Sequence, residues 1–267
     1  MTGSIRRGVS VRRFFQEDLQ TLATRGSCLL PEWICESMVE AVRAAHWQPC
    51  FYPVLPPSRA EVFLQADFEQ LRVLGQKRDS AVALLLAHPM GYVDPGCADF
   101  LSDMEHESEL ACFLDWSQGY GMAPLDRSID HIHAAYLSFN GNKLVDTGGA
   151  LRLSSPGRAR IRWPCFQREA RRKRARLQRF LRANHLEQSI TLATLYAEHQ
   201  SSPMRTALDW KALPRKAQVQ LLRQGMVQPL LAEPRIQGSR ASDAYRQWQE
   251  RVMLMFHAPR NEWKSHA

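Results

Sequence analysis

A chain of 267 residues, 45% hydrophobic and 23% charged, is long enough for one large domain or two small ones and has the make-up of a soluble globular protein. Its longest apolar run, at 81–87, is strand-sized and far short of the roughly 18 residues of a membrane span, and the basic N-terminus carries no apolar stretch of a secretory signal. The net charge of +8 is compatible with an anionic partner, but six cysteines without a CxxC pair or a Cys/His cluster exclude zinc-type spacing and a disulfide framework. Reduced cysteines, no metal and a cytoplasmic location are the expectations.

In chain order, residues 9–26 place apolar side chains near helical spacing and stop at Gly26. Residues 27–31, SCLLP, predict a short buried strand, and 32–47 an amphipathic helix. A strand follows at 49–57, closed by a proline pair, and a helix at 59–75. The stretch 80–93 holds a buried strand, 95–109 a helix, and 110–115, LACFLD, another strand. Strands are also predicted at 134–140 and 149–155. Apolar strands alternating with helices argue for an α/β fold, three layers with a mainly parallel sheet covered on both faces.

Beyond Ser155 the pattern changes. Residues 156–164 read as a linker, and 165–200, 213–234 and 242–259 as helices, with no strand expected. The division is therefore 1–155, α/β, and 156–267, basic and mainly helical. Between Arg158 and Arg182 lie eleven Arg/Lys and one acid, Glu169.

Ligands in such sheets bind beyond the carboxyl ends of the strands. Asp115, Gln118, Ser138 and Lys143 fall at such ends or in the loops after them, offering a carboxylate, an amide, a hydroxyl and an amine. A neutral lysine in an apolar pocket is a covalent nucleophile, and a carboxylate can keep a ring nitrogen protonated for an electron-sink cofactor. Serine and glycine-flanked amides suit a phosphate. Lysine is scarce, six against 29 arginines, which sets Lys143 apart. His88 reads as a hydrogen-bonded strand-end histidine, and His131 and His133 alternate so that one faces solvent.

The ordered combination of Asp115 and Gln118 three apart, Ser138-Phe139, Lys143 five residues after the serine, and Gly148-Gly149 resembles the DegT/StrS aminotransferases. These enzymes use pyridoxal 5'-phosphate (PLP) on the aspartate-aminotransferase type of fold. The upstream run 27–54 is similar to the family's strand, proline loop, helix and return strand. The resemblance spans about Ile5 to Ser155, which makes 1–155 a PLP-binding major-domain-like region. The family's front loop and its mixed C-terminal small domain are not recognisable in the sequence, so the chain reads as shortened at both ends.

The resemblance implies an aminotransferase that moves an amino group from an amino-acid donor to a keto acceptor, a sugar among the candidates, through a Schiff base on Lys143. It implies that Asp115 pairs with the pyridine nitrogen and Gln118 lies by the ring. Ser138, with Asn140, would contact the phosphate, and Trp33 or Cys35 would pack on the ring face. Gly3, Ser4 and Gly8 are the candidates for the front phosphate loop. A homodimer is implied, with no membrane and no nucleic-acid partner expected. Two other readings stay open: a PLP-binding protein with another or a lost activity, and a non-enzymatic binding protein that uses the arginine-rich helix.

Overall fold

In a computed structural model, residues 5–55, 65–76, 82–87, 96–103, 110–117, 132–139, 148–154, 168, 172, 175, 178–179, 181–185, 205–229 and 240–256 are described. The first half builds β1 (Ile5–Gly8), α1 (Val11–Thr21), β2 (Ser27–Pro31), α2 (Glu36–Ala44), β3 (Gln48–Tyr52), β4 (Val54–Leu55) and β5 (Gln65–Ala66). It continues with α3 (Phe68–Gln76), β6 (Val82–Ala87), α4 (Gly96–Asp103), β7 (Leu110–Asp115), β8 (Ile132–Ser138) and β9 (Ala150–Ser154).

Seven of these strands form one sheet in the order β1-β9-β8-β7-β6-β2-β3. β3, β2, β6, β7 and β8 run parallel, and β9 lies antiparallel to both β8 and β1. All five residues of β2 are buried, as are five of six in β6 and the three at Cys112–Leu114 of β7, as in central strands covered on both faces. This is the three-layer, mainly parallel α/β architecture that the alternation of elements predicts.

Alternating side chains sort into two cores. Leu29, Leu84, Leu86, Leu114 and Leu137 face α3 and α4, where Leu71, Phe100 and Leu101 pack on them. Cys28, Leu30, Ala83, Leu85, Phe113 and Tyr136 face α1 and α2, which bury Phe14, Phe15, Leu19, Met38, Val39 and Val42 at helical spacing. Phe15 meets Phe113 and Tyr136 edge-on, with ring centroids 5.4 and 5.9 Å away. Ser10 starts α1 by accepting a hydrogen bond from the Arg13 amide at 3.3 Å.

Two departures in this half have local causes. β1 was not expected, because IRRG has no apolar alternation; it is an edge strand, added by backbone pairing with β9. α3 begins only at Phe68, where Asp67 Oδ1 accepts from the Gln70 amide at 3.0 Å, and β5 stands just before it. The expected helix residues 59–64 lie outside the described ones.

The expectation of a C-terminal region without strands is corrected. Residues 205–256 contain β10 (Arg205–Asp209), α5 (Arg215–Arg223), β11 (Val227–Pro229), α6 (Arg240–Gln249) and β12 (Val252–Phe256). The three strands make an antiparallel sheet in the order β10-β12-β11. The expected helices at 213–234 and 242–259 each give way to a strand: α5 ends before Gly225, which takes a φ of 61°, and α6 ends at a turn before Val252. Three- to five-residue apolar runs such as VMLMF cannot be told from helix by periodicity, and their partners lie far away in sequence. Leu181, Leu208, Leu213, Ala217, Leu221, Met226 and Met255 form a small core there. Val252 and Trp248 join the main core, so this region folds back on the first half of the same chain.

Gly149 carries a φ of +81°, and a Cβ placed on it would sit 2.9 Å from the Gly8 carbonyl oxygen. Gly149→Ala is therefore expected to cost about 1–3 kcal/mol, read as a lowered midpoint in denaturant unfolding.

Candidate functional site

The carboxyl ends of β2, β6, β7 and β8 lie along one edge of the sheet, joined there by the end of β1 and the start of β9. Asp115 closes β7 in register with Ala87 and Tyr136. Ser138 closes β8, paired with Ala150, which in turn pairs with Gly8. By strand alternation Asp115 and Ser138 share the face that α1 and α2 cover, with Phe113 and Tyr136. The structure thus brings two of the predicted residues to one edge and one face.

Asp115 is half-buried, and its Oδ1 accepts a hydrogen bond from the Ser117 amide at 2.8 Å. Among the described residues that is its one hydrogen bond, and Oδ2 accepts none. Ser138 is buried, at 7% exposure. Gln118, Asn140 and Lys143 lie outside the described residues, as do Gly3, Ser4, His88 and His131. The segment that contains Asn140 and Lys143 is closed at its base, where the Phe139 amide donates to Gly149 O at 2.9 Å and the Gly148 amide donates to Phe139 O at 3.0 Å.

Trp33, just past the end of β2, is half-buried against the α3/α4 core, on the opposite face from Asp115. Its indole N–H is buried without an acceptor. Trp116 repeats that situation just past β7. Among the described residues these two indoles are the buried side-chain polar atoms that lack a partner, and both stand at the edge where the parallel strands end. Nothing in the sequence separates Trp116 from an ordinary core tryptophan. Cys35 is exposed, with its Sγ 3.2 Å from Ser37 Oγ at the start of α2.

Gly8 has a packing explanation, since a Cβ there would lie 2.4 Å from Phe14 Cζ. The adjoining N-terminus of α1 keeps amides at Val11 and Arg12 that have no intrahelical acceptor, next to a cavity of about 100 Å³ lined by Arg6, Val9, Ser10 and Arg13. Both guanidiniums there bind Glu17, at 2.8 and 3.0 Å.

Sequence reading missed two carboxylates that hold this edge together. Glu32, 1% exposed, accepts the Val54 amide on Oε1 at 2.9 Å and ties the end of β2 to β4. Asp18 of α1, 5% exposed, receives the Tyr136 hydroxyl at 2.6 Å and Arg152 of β9 at 2.7–2.8 Å. Tyr136 lies in the row of Asp115, so this brace fixes α1 against the strands beside the site. The sole signal in the sequence is an aspartate on the apolar face of a helix.

Burial, and then the Asp18 carboxylate, push the Tyr136 phenol well above its ordinary pKa. An unfolded tyrosine ionises near pH ~10 while Tyr136 in the fold keeps its proton, so stability falls as pH rises past that value. Tyr136→Phe is expected to cost about 1.5–3 kcal/mol at neutral pH and to make the alkaline decline shallower, both measurable by urea unfolding across pH.

No family model matches the sequence, and no curated protein does. Solved structures match over nearly the whole chain. A DegT/DnrJ/EryC1/StrS aminotransferase from Brucella abortus is 12% identical, with a TM-score of 0.67 over 97% of this chain and 82% of that one. The sugar aminotransferase CalS13 from Micromonospora echinospora is 14% identical, at 0.61 over 94% and 81%. NtdA from Bacillus subtilis, solved with bound cofactor PMP, is 11% identical, at 0.60 over 97% and 70%. The chain therefore has the fold of these PLP-type aminotransferases. The likeness takes in the C-terminal region as well, where the sequence resemblance stopped at Ser155.

Proposed function

We propose that the protein is a PLP-dependent aminotransferase-like enzyme, acting on an amino-acid donor and a keto acceptor, with a sugar as the acceptor class. The observation that carries the reading is Asp115 at the carboxyl end of β7, on the same edge and face as Ser138, in a chain whose fold is similar to that of aminotransferases. The donor set fits the cofactor: a carboxylate with one oxygen to spare, a buried serine hydroxyl, and a helix N-terminus with amides for an anion.

The bound cofactor would supply an electron sink for a bond broken at the donor's α-carbon. Asp115 would hold the proton on the ring nitrogen, stabilised by the opposite charge that it brings. Ser138, with Asn140, and the α1 N-terminus would hold the phosphate. Lys143, five residues past Ser138, would bind the cofactor covalently and then, as a free amine, move the proton from the α-carbon. Gln118 would lie by the ring, and Trp33 or Cys35 would pack on a ring face, Trp33 being the harder fit because it packs on the α3/α4 side. The orphaned indole N–H groups of Trp33 and Trp116 suit oxygen acceptors of a ligand at this edge. A homodimer belongs to the same reading.

The test is spectroscopic. Purified protein mixed with PLP should develop a visible absorption band and lose tryptophan fluorescence. Amino acids added one at a time should then bleach that band for the true donor. A protein that shows neither change with PLP is not an enzyme of this type.

A further inference from the structure

Four arginines of the C-terminal region share one exposed helix face, an arrangement that the count of charges alone does not reveal. Residues 168, 172, 175, 179 and 182 are all helical and all exposed, and they are Arg168, Arg172, Ala175, Arg179 and Arg182. Their intervals are four, three, four and three, the spacing of residues on one face at 3.6 residues per turn. Leu181 falls on the opposite side and is buried in the small core with Leu208, Leu221 and Met255. Asn184 is hydrogen-bonded to Gln220 of α5, so the helix end is anchored with its arginines outward. Arg215, Lys216 and Arg223 of α5 are exposed as well.

We propose that this stripe binds the phosphate backbone of a nucleic acid, as a function separate from the site at the sheet edge. Three properties select that partner. The charge is carried by arginine, with one lysine, Lys173, among the eleven cations of 158–182, and the planar guanidinium fork matches phosphate oxygens. The stripe is linear, as a row of phosphates is. Its one non-cationic member is Ala175, so it lacks the apolar centre of a protein interface and the bulky apolar side chains that insert into a bilayer. No base-stacking platform is needed, and contact to the backbone predicts binding with little sequence preference.

The test is fluorescence anisotropy of the full-length protein with a labelled duplex DNA and a labelled single-stranded RNA of about 20 nucleotides, titrated in salt. Four phosphate contacts predict a log–log salt slope of about −3.6 on the duplex, an affinity loss of about 150-fold between roughly 50 and 200 mM salt. The variant with Gln at positions 168, 172, 179 and 182 should lose nearly all of that slope. Arg179→Gln with Arg182→Gln, a smaller change, should lower it by about two. Comparison of the DNA and RNA arms identifies the nucleic acid. The proposal is overturned if neither probe binds at low salt, or if the correctly folded double variant keeps the wild-type slope. It is equally overturned if phosphatidylserine vesicles or polyglutamate bind more tightly than both probes.

Discussion

Lys143→Ala is expected to leave the protein folded and to abolish the visible band that wild type develops with PLP. Any amino-group transfer should fall by at least about 10²–10⁴-fold, the contribution of a positioned acid–base group, with the covalent role lost in addition. The reasoning combines residues on both sides of the loop. Phe139 and Gly148–Gly149 hold its base by two backbone hydrogen bonds at the carboxyl end of β8, beside buried Ser138. Lysine is rare in this chain, and the one in this loop stands at the spacing that the DegT/StrS resemblance requires. Asp115→Asn separates cofactor binding from chemistry: it keeps the shape of the side chain but loses the charge that holds the ring proton, so the band should form more weakly while turnover falls further. If Lys143→Ala retains the full wild-type band, another amine carries the cofactor and the assignment fails.

The second large effect is expected at the brace behind the site. Asp18→Ala removes the acceptor of four short contacts and strands a largely buried guanidinium, since the Arg152 side chain is 16% exposed. Breaking a buried pair from one side costs about 3–5 kcal/mol, a large share of a typical domain's stability. The double change Asp18→Leu with Arg152→Met should recover much of that loss, because no unpaired charge then remains buried. Urea unfolding of the single and double variants measures both. An Asp18→Ala loss below about 1 kcal/mol would mean that water or a neighbour rescues Arg152. Because Tyr136 lies in register with Asp115, the recovered double variant also separates stability from site geometry: normal stability with weakened PLP binding would assign the brace a positioning role.

Apart from β1, the strands of the main sheet were legible in local pattern, and so was the position of two residues at its edge. Apolar runs such as VALLLA and LACFLD can satisfy their surroundings only between two helical layers, and a polar residue at the end of such a run must stand where the strand leaves the core. Asp115 and Ser138 were legible for that reason. Local pattern could not decide what depends on distant partners. β1 exists because β9 offers an edge, and β10, β11 and β12 exist because short segments far apart in the chain pair with one another; read alone, the last two extend a helix. Asp18 looks like a misplaced charge on an apolar helix face until Arg152 and Tyr136, more than a hundred residues later, arrive beside it. The outward row of arginines likewise needed the burial of Leu181 to fix which way its helix faces. Composition counts charges, but only packing decides which of them point the same way.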